Sequence, residues 1–272
     1  MWRRLPELVP SASEARGWAS RSLPVTLAVL VTATLVVGGI VGHDFITTSD
    51  RFAIRSLDVR GNHVVSEARI ARLLGIEPGD NIFEASLDNM ASVLARDPWI
   101  AHAVVRRGLP DTLIVEIEEN RPATLVELGG LYLADARGAV FKRAAIEQGE
   151  GAALPIVTGL SRDDYVERPA DVQRALRAAL DTLARYHDDE TRPAVGEVHI
   201  HPRHGITLIT RDNAVSVRLG RPGDEASMSE RLHAFDLVWQ ALSPAERQRA
   251  RAVYADDRSR SERVTVALGE IE

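Results

Sequence analysis

The sequence predicts an α+β protein carried behind a single N-terminal transmembrane helix. Three observations lead there. One long uncharged run stands near the N-terminus. Residues 52–124 then read in the order strand, helix, helix, strand, strand. Residues 125–272 mix hairpins, period-two strands and amphipathic helices, the pattern of a C-terminal mixed α/β domain with an extended, antiparallel-rich sheet.

From Ser22 to Gly42 the chain runs for 21 residues without a charge. At about 1.5 Å rise per residue this makes roughly 30 Å of helix, the thickness of a bilayer's hydrocarbon core. A buried core helix of that length would show a polar face. A cleavable signal would need a shorter apolar stretch and an A-x-A-like site of small residues after it, where Ile40 and Gly42 would have to serve and Ile40 is too large. An uncleaved anchor is expected, meeting the lipid bilayer through this one helix. Arg3, Arg4, Arg16 and Arg21 outnumber Glu7 and Glu14 before it, whereas Asp44, Asp50 and Arg51 follow it. Arginine-rich flanks stay on the cytoplasmic side. Residues 1–21 are therefore expected as a cytoplasmic tail, 22–42 as the membrane helix, 43–51 as a linker, and the rest as exported.

In the first exported module (52–124), Ile54 to Arg60 reads as a strand that ends at the Gly61-Asn62 turn. Ser66 suits a helix N-cap, with Val65 and Ile70 placed as a hydrophobic staple and Gly75 as the stop. After the Pro78-Gly79-Asp80 turn, Leu87, Met90, Ala91 and Leu94 repeat at helical spacing until Asp97-Pro98 breaks the run. Ala101–Arg107 and Thr112–Glu119 read as two strands joined through Gly108-Leu109-Pro110-Asp111. In the second of them Leu113, Val115 and Ile117 alternate with Ile114, Glu116 and Glu118, the period of a half-buried antiparallel strand.

In the second module (125–272), Leu131–Asp135 and Val140-Phe141 read as a hairpin, Leu154–Val157 as a strand, and Asp171–His187 as a helix with Leu176, Leu180 and Leu183 on one side. Strands are expected at Val195–Ile200, Gly205–Thr210 and Ala214–Leu219. A helix is expected over Ser227–Leu242, with Leu232, Phe235, Leu237 and Trp239 as its apolar surface. Strands near Ala252–Ala255 and Val264–Leu268 close the chain.

Composition narrows the chemistry. Cysteine is absent, which removes disulfide scaffolds, thiolate metal sites and cysteine nucleophiles. The formal charge is −6, and Lys142 is the sole lysine among 33 basic residues, a poor match to a nucleic-acid binder. The best enzyme-like cluster is His199, His201 and His204, with Glu197 on the same strand face, because neutral imidazoles two residues apart can share a zinc ion. An anchored metal-dependent hydrolase is the reading that cluster would support. The plainer reading, a polar strand face entering the Pro202–Gly205 turn, is preferred. Asp188-Asp189-Glu190 and Asp256-Asp257 lack calcium-loop spacing. No catalytic residue, metal, cofactor or small-molecule substrate is expected.

The wording of the chain is recognisable at this point. Ile54-x-x-Leu57-x-Val59-Arg60-Gly61-Asn62-x-x-Val65-Ser66, Asp80-Asn81-Ile82-Phe83, Asp97-Pro98-Trp99-Ile100, and Ala103-x-Val105-x-Arg107-x-x-Pro110-x-x-Leu113 through Glu119-Asn120-Arg121-Pro122-Ala123 together resemble a POTRA domain. With an anchor before it, and Asp135-x-x-Gly138-x-Val140-Phe141 and Leu219-Gly220-Arg221 behind it, nearly the whole chain resembles the FtsQ/DivIB cell-division family. The resemblance implies a non-enzymatic divisome scaffold in the bacterial inner membrane. It would have its N-terminus in the cytoplasm and its domains in the periplasm at the septum. It also implies FtsB and FtsL as partners held by a late C-terminal strand, with the POTRA module aiding recruitment. POTRA-bearing secretion or outer-membrane assembly factors are the alternative, but they place the module ahead of a β-barrel, which the helix-bearing residues after Thr124 do not supply.

Residue pattern points to the same strand. A sheet with a free edge can accept a partner's strand. Val264, Val266 and Leu268 face one way and Thr265 and Ala267 the other, close to the end of the sequence. These five and Tyr254 are the candidate partner-binding residues, and a closing strand paired on both sides is the competing reading. Family members carry an Asp-Leu-Arg-Tyr-like strand where this chain has Val253-Tyr254-Ala255-Asp256-Asp257-Arg258, followed by a charged loop from Ser259 to Arg263.

Overall fold

The computed structural model describes residues 12–77, 79–224, 227–257 and 262–269. Part of the expected cytoplasmic tail (1–11), Pro78 of the first turn and residues 258–261 of the charged loop lie outside them. The chain divides into two compact units. One runs up to Arg96 and adds His102–Ile117, and the other comprises Asp97–Ala101 and Glu118 onward.

The first unit begins with helix α1 (Ala12–Thr48), within which Leu27–Thr48 is long and apolar enough to cross a membrane. Residues 43–48, expected as linker, are helical. No proline or glycine interrupts them, and the hydroxyls of Thr47 and Thr48 donate back to the carbonyls of His43 and Asp44 at 3.0 and 2.6 Å. Strand β1 (Ser56–Arg60), helices α2 (Glu67–Leu74) and α3 (Leu87–Leu94), and strands β2 (Ile100–Gly108) and β3 (Thr112–Glu119) follow in the expected order. The three strands form a sheet in the order β1-β3-β2, with β1 parallel to β3. Local signals explain the boundaries. The Ser66 hydroxyl accepts from the Arg69 amide at 3.3 Å, Val65 and Ile70 are both buried, and Gly75 stops α2 at φ +61°. Leu94, Leu113, Val115 and Ile117 are buried, as the periodicity requires.

The second unit contains β4 (Pro122–Glu127), β5 (Leu131–Asp135), β6 (Val140–Arg143), β7 (Ile156–Thr158), α4 (Arg162–Glu167), α5 (Pro169–His187), β8 (Val195–His201), β9 (Gly205–Thr210), β10 (Ser216–Gly220), α6 (Met228–Ala241), α7 (Pro244–Arg249), β11 (Ala250–Tyr254) and β12 (Thr265–Leu268). One mixed sheet takes all nine strands, in the order β12-β11-β10-β9-β8-β7-β4-β5-β6. Three elements escape the sequence patterns. β4 starts on Pro122, which a strand tolerates at its first residue. Helices α4 and α7 are six residues each, too short to show a period, and are set by the caps Ser161 and Ser243.

Register explains the two faces of the sheet. Val157, Val198, Leu208, Val217, Val253 and Val266 are successive cross-strand partners. This row belongs to a core that includes Leu176, Leu183 and Tyr186 of α5 and Leu232 and Phe235 of α6. The neighbouring residues, Thr158, His199, Thr207, Arg218, Tyr254 and Thr265, form the row on the opposite, polar face. Helix α6 corrects one expectation: Leu237 is 59% exposed, while Arg231 is fully buried. The Arg231 guanidinium donates to Leu219 O at 2.5 Å and to Asp224 at 3.1 Å, which ties α6 to the turn after β10.

Candidate functional site

Strand β12 is the last strand on its side of the nine-stranded sheet and pairs antiparallel with β11. The Gly269 amide donates to Arg249 O at 2.8 Å. Successive amides of a strand point to opposite sides, so those of Val266 and Leu268 point away from β11, towards the free edge. Side chains follow the other alternation. Val264 and Val266 pack on the core, whereas Thr265 lies opposite Tyr254 and Ala267 opposite Ala252. Leu268 is 42% exposed, because the pairing shifts between Ala250 and Ala252.

The two edges of this sheet are chemically unlike. Thr265-Val266-Ala267-Leu268 carries no charge and no proline. The opposite edge, β6, has Lys142 and Arg143 within four residues, while both edge strands have an irregularity in their pairing. Charge and bulges are the devices that discourage strand pairing at an edge, and β12 itself carries no charge.

Beside β12 the polar face forms a cleft of about 240 Å³ lined by Tyr254, Asp256, Asp257, Arg263 and Thr265. Arg218 contacts two of these residues, its guanidinium lying 5.3 Å from the Tyr254 ring centroid and 3.4 Å from the Asp256 carboxylate. The structure thus places Tyr254 opposite Thr265. Sequence reasoning did not find Arg218 as their neighbour. The signal would have been the parallel pairing of β10 with β11, which joins residues 36 apart and leaves no local trace.

Two of the three histidines, His199 and His201, make local hydrogen bonds through Nδ1. Thr158 Oγ1 gives its single hydrogen to Glu197 at 2.6 Å, so it accepts from Nδ1 of His199 at 2.8 Å. Nδ1 of His201 accepts the backbone amides of Arg203 and His204 at 3.0 and 3.2 Å, which closes the turn after β8. Desolvation, then the neighbouring His204 and His199, push the His201 pKa down and keep the ring neutral. With Nδ1 occupied, its proton sits on Nε2, and neither nitrogen offers a lone pair to a metal. Among the described residues no three His, Asp or Glu side chains converge to hold a metal ion.

Comparison with known proteins adds a family to this geometry. Residues 52–120 match the FtsQ-type POTRA domain, and residues 124–258 match the C-terminal region of cell division protein FtsQ/DivIB. The chain is 36% identical over 269 residues to a cell division protein FtsQ of Anaeromyxobacter sp. (strain K), covering 98% of this chain and 88% of that one. It is 31% identical over 265 residues to the FtsQ of Myxococcus fulvus, covering 96% and 89%.

Proposed function

The chain belongs to the FtsQ/DivIB family of cell-division proteins, and from that premise we propose that it is a non-enzymatic scaffold of the divisome that holds FtsB and FtsL by adding a partner strand to β12. The observation that carries this reading is the uncharged terminal edge, with the Val266 and Leu268 amides directed outwards. Main-chain bonds along that edge would supply affinity. The Tyr254–Asp257 cleft beside it would receive the partner's side chains and supply selectivity. The helix around Leu27–Thr48 serves as a single-pass inner-membrane anchor. The arginines before it keep the N-terminus in the cytoplasm. Residues 52–124, as a POTRA domain, and 125–272 then act in the periplasm at the septum.

Val266→Pro tests the docking. Proline removes an amide that points to the free edge and leaves the bonds between β12 and β11 in place. The full-length variant is expected to lose at least tenfold in affinity for an FtsB/FtsL preparation, with an unchanged circular dichroism spectrum. Cells relying on it are expected to grow as undivided filaments. Unchanged affinity and normal division would sink the reading.

A further inference from the structure

The far side of the sheet carries a second surface of different chemistry. Between the β6 margin and helix α4 lies a cleft of about 250 Å³, lined by Tyr132, Val140, Arg143, Arg162, Tyr165 and Val166 among others. A neighbouring cleft of about 370 Å³ shares Val140 and Tyr165 with it and reaches Pro169, Ala170 and Gln173 at the start of α5. Val166, 68% exposed, lies on the rim of the first cleft with the exposed side chains of Arg143 and Arg162.

Charge sets this groove apart from the rest of the chain. The molecule carries a formal −6, yet the clefts are lined by Lys142, Arg143 and Arg162 and by no acidic side chain. Lys142 is neutralised by Glu150. Arg162 donates to the Tyr132 hydroxyl at 2.9 Å, and neither it nor Arg143 has a carboxylate partner among the described residues. Two guanidinium groups thus flank two tyrosines, residue types enriched in binding hot spots, beside an exposed valine. Because β6 carries Lys142 and Arg143 within its four residues, it is less suited to strand addition than the uncharged β12.

We infer that this groove is a second docking site, for a protein segment in which an apolar residue is flanked by carboxylate side chains. The apolar residue would sit against Val140, Tyr165 and Val166, and the carboxylates would pair with Arg143 and Arg162. The site is independent of β12, so it stands or falls separately from FtsB/FtsL docking.

The test uses the full-length protein in lipid nanodiscs with a photo-crosslinking residue in place of Val166. The probe is a synthetic decapeptide of alternating glutamate and valine with a central tyrosine. A matched peptide carries lysine for glutamate. Labelling by the acidic peptide is expected at low salt, at least tenfold above the lysine peptide. In the Arg143→Glu, Arg162→Glu double variant the preference is expected to reverse. Both side chains are exposed, so the fold should survive. Arg162→Gln alone provides a milder variant, expected to weaken acidic labelling several-fold. Equal labelling by the two peptides, or an unchanged preference in the double variant, would overturn the inference. So would crosslinking dominated by a second copy of the chain, since the groove would then be a self-contact. Displacement of the acidic peptide by equimolar inorganic phosphate would reduce the groove to a general anion site and would also overturn it.

Discussion

Gly159 and Glu150 show how much of the second unit depends on single positions. Gly159 follows β7 at φ +85°, and a Cβ there would stand 2.1 Å from the carbonyl oxygen of Ile200. Backbone cannot yield as a flexible side chain would. Gly159→Ala is expected to cost about 2–4 kcal/mol, measured as a lower thermal unfolding midpoint. Glu150 accepts from Lys142 at 2.6 Å and from the Ala145 amide at 2.8 Å. The Lys142 hydrogen bond first, and then that of Ala145, hold its carboxyl below the usual carboxylate pKa. Its stabilising effect is therefore complete above the unfolded pKa, near ~4.3, and is lost as pH falls through the lower folded value. Glu150→Gln should unfold more easily than the native chain at pH 7, and the two should converge in acid. Denaturant melts at pH 7, 5 and 3 check this. Neither role was legible in the sequence, because Gly159 and Glu150 look like ordinary loop residues until their partners arrive.

Elements divide along the same line. Helix α2 was legible from Val65, Ser66, Ile70 and Gly75, because a cap, a staple and a stop act within one turn of the residues they serve. The lower end of α1 was not. Its last turn leaves carbonyls without helical partners, and those of Ile46 and Thr47 accept from the side-chain amide of Asn81, both at 2.8 Å. Phe45, Phe52 and Phe83 extend the contact as edge-on ring pairs with centroids 6.4 and 5.1 Å apart. Helix α1 is thereby fastened to the module it precedes, through residues at its end that were read as a linker. Asn81→Ala should leave two acceptors unmet, at a cost of about 1–3 kcal/mol. Faster hydrogen exchange over residues 45–53, with exchange in α2 little changed, is the expected sign. Unaltered exchange at 45–53 would count against it.

At the scale of the whole molecule, the nine-stranded sheet ends in two margins with opposite characters, and its second unit has a core separate from that of the first. A chain ending at Asp257 lacks Val264 and β12 with its Val266, and the burial of these two valines contributes about 2 kcal/mol together when half-buried side chains are counted at a fraction of their full value. The second unit's unfolding midpoint should fall by about 5 °C, while hydrogen-exchange protection of Leu113 and Val115 in the first unit stays as it was. Equal loss in both units would show a single cooperative core instead.

What the sequence by itself determined was everything set by near neighbours: the long apolar N-terminal helix from a charge-free run, the β-α-α-β-β order from period and caps, and the family from motifs in series. The tertiary structure alone decided that β12 lies at an edge, that Tyr254 stands over Arg218, and that Arg143 and Arg162 share a groove. Strand order and register join residues dozens of positions apart. An edge is defined by which strands come to lie beside one another, and no short stretch of sequence contains that information.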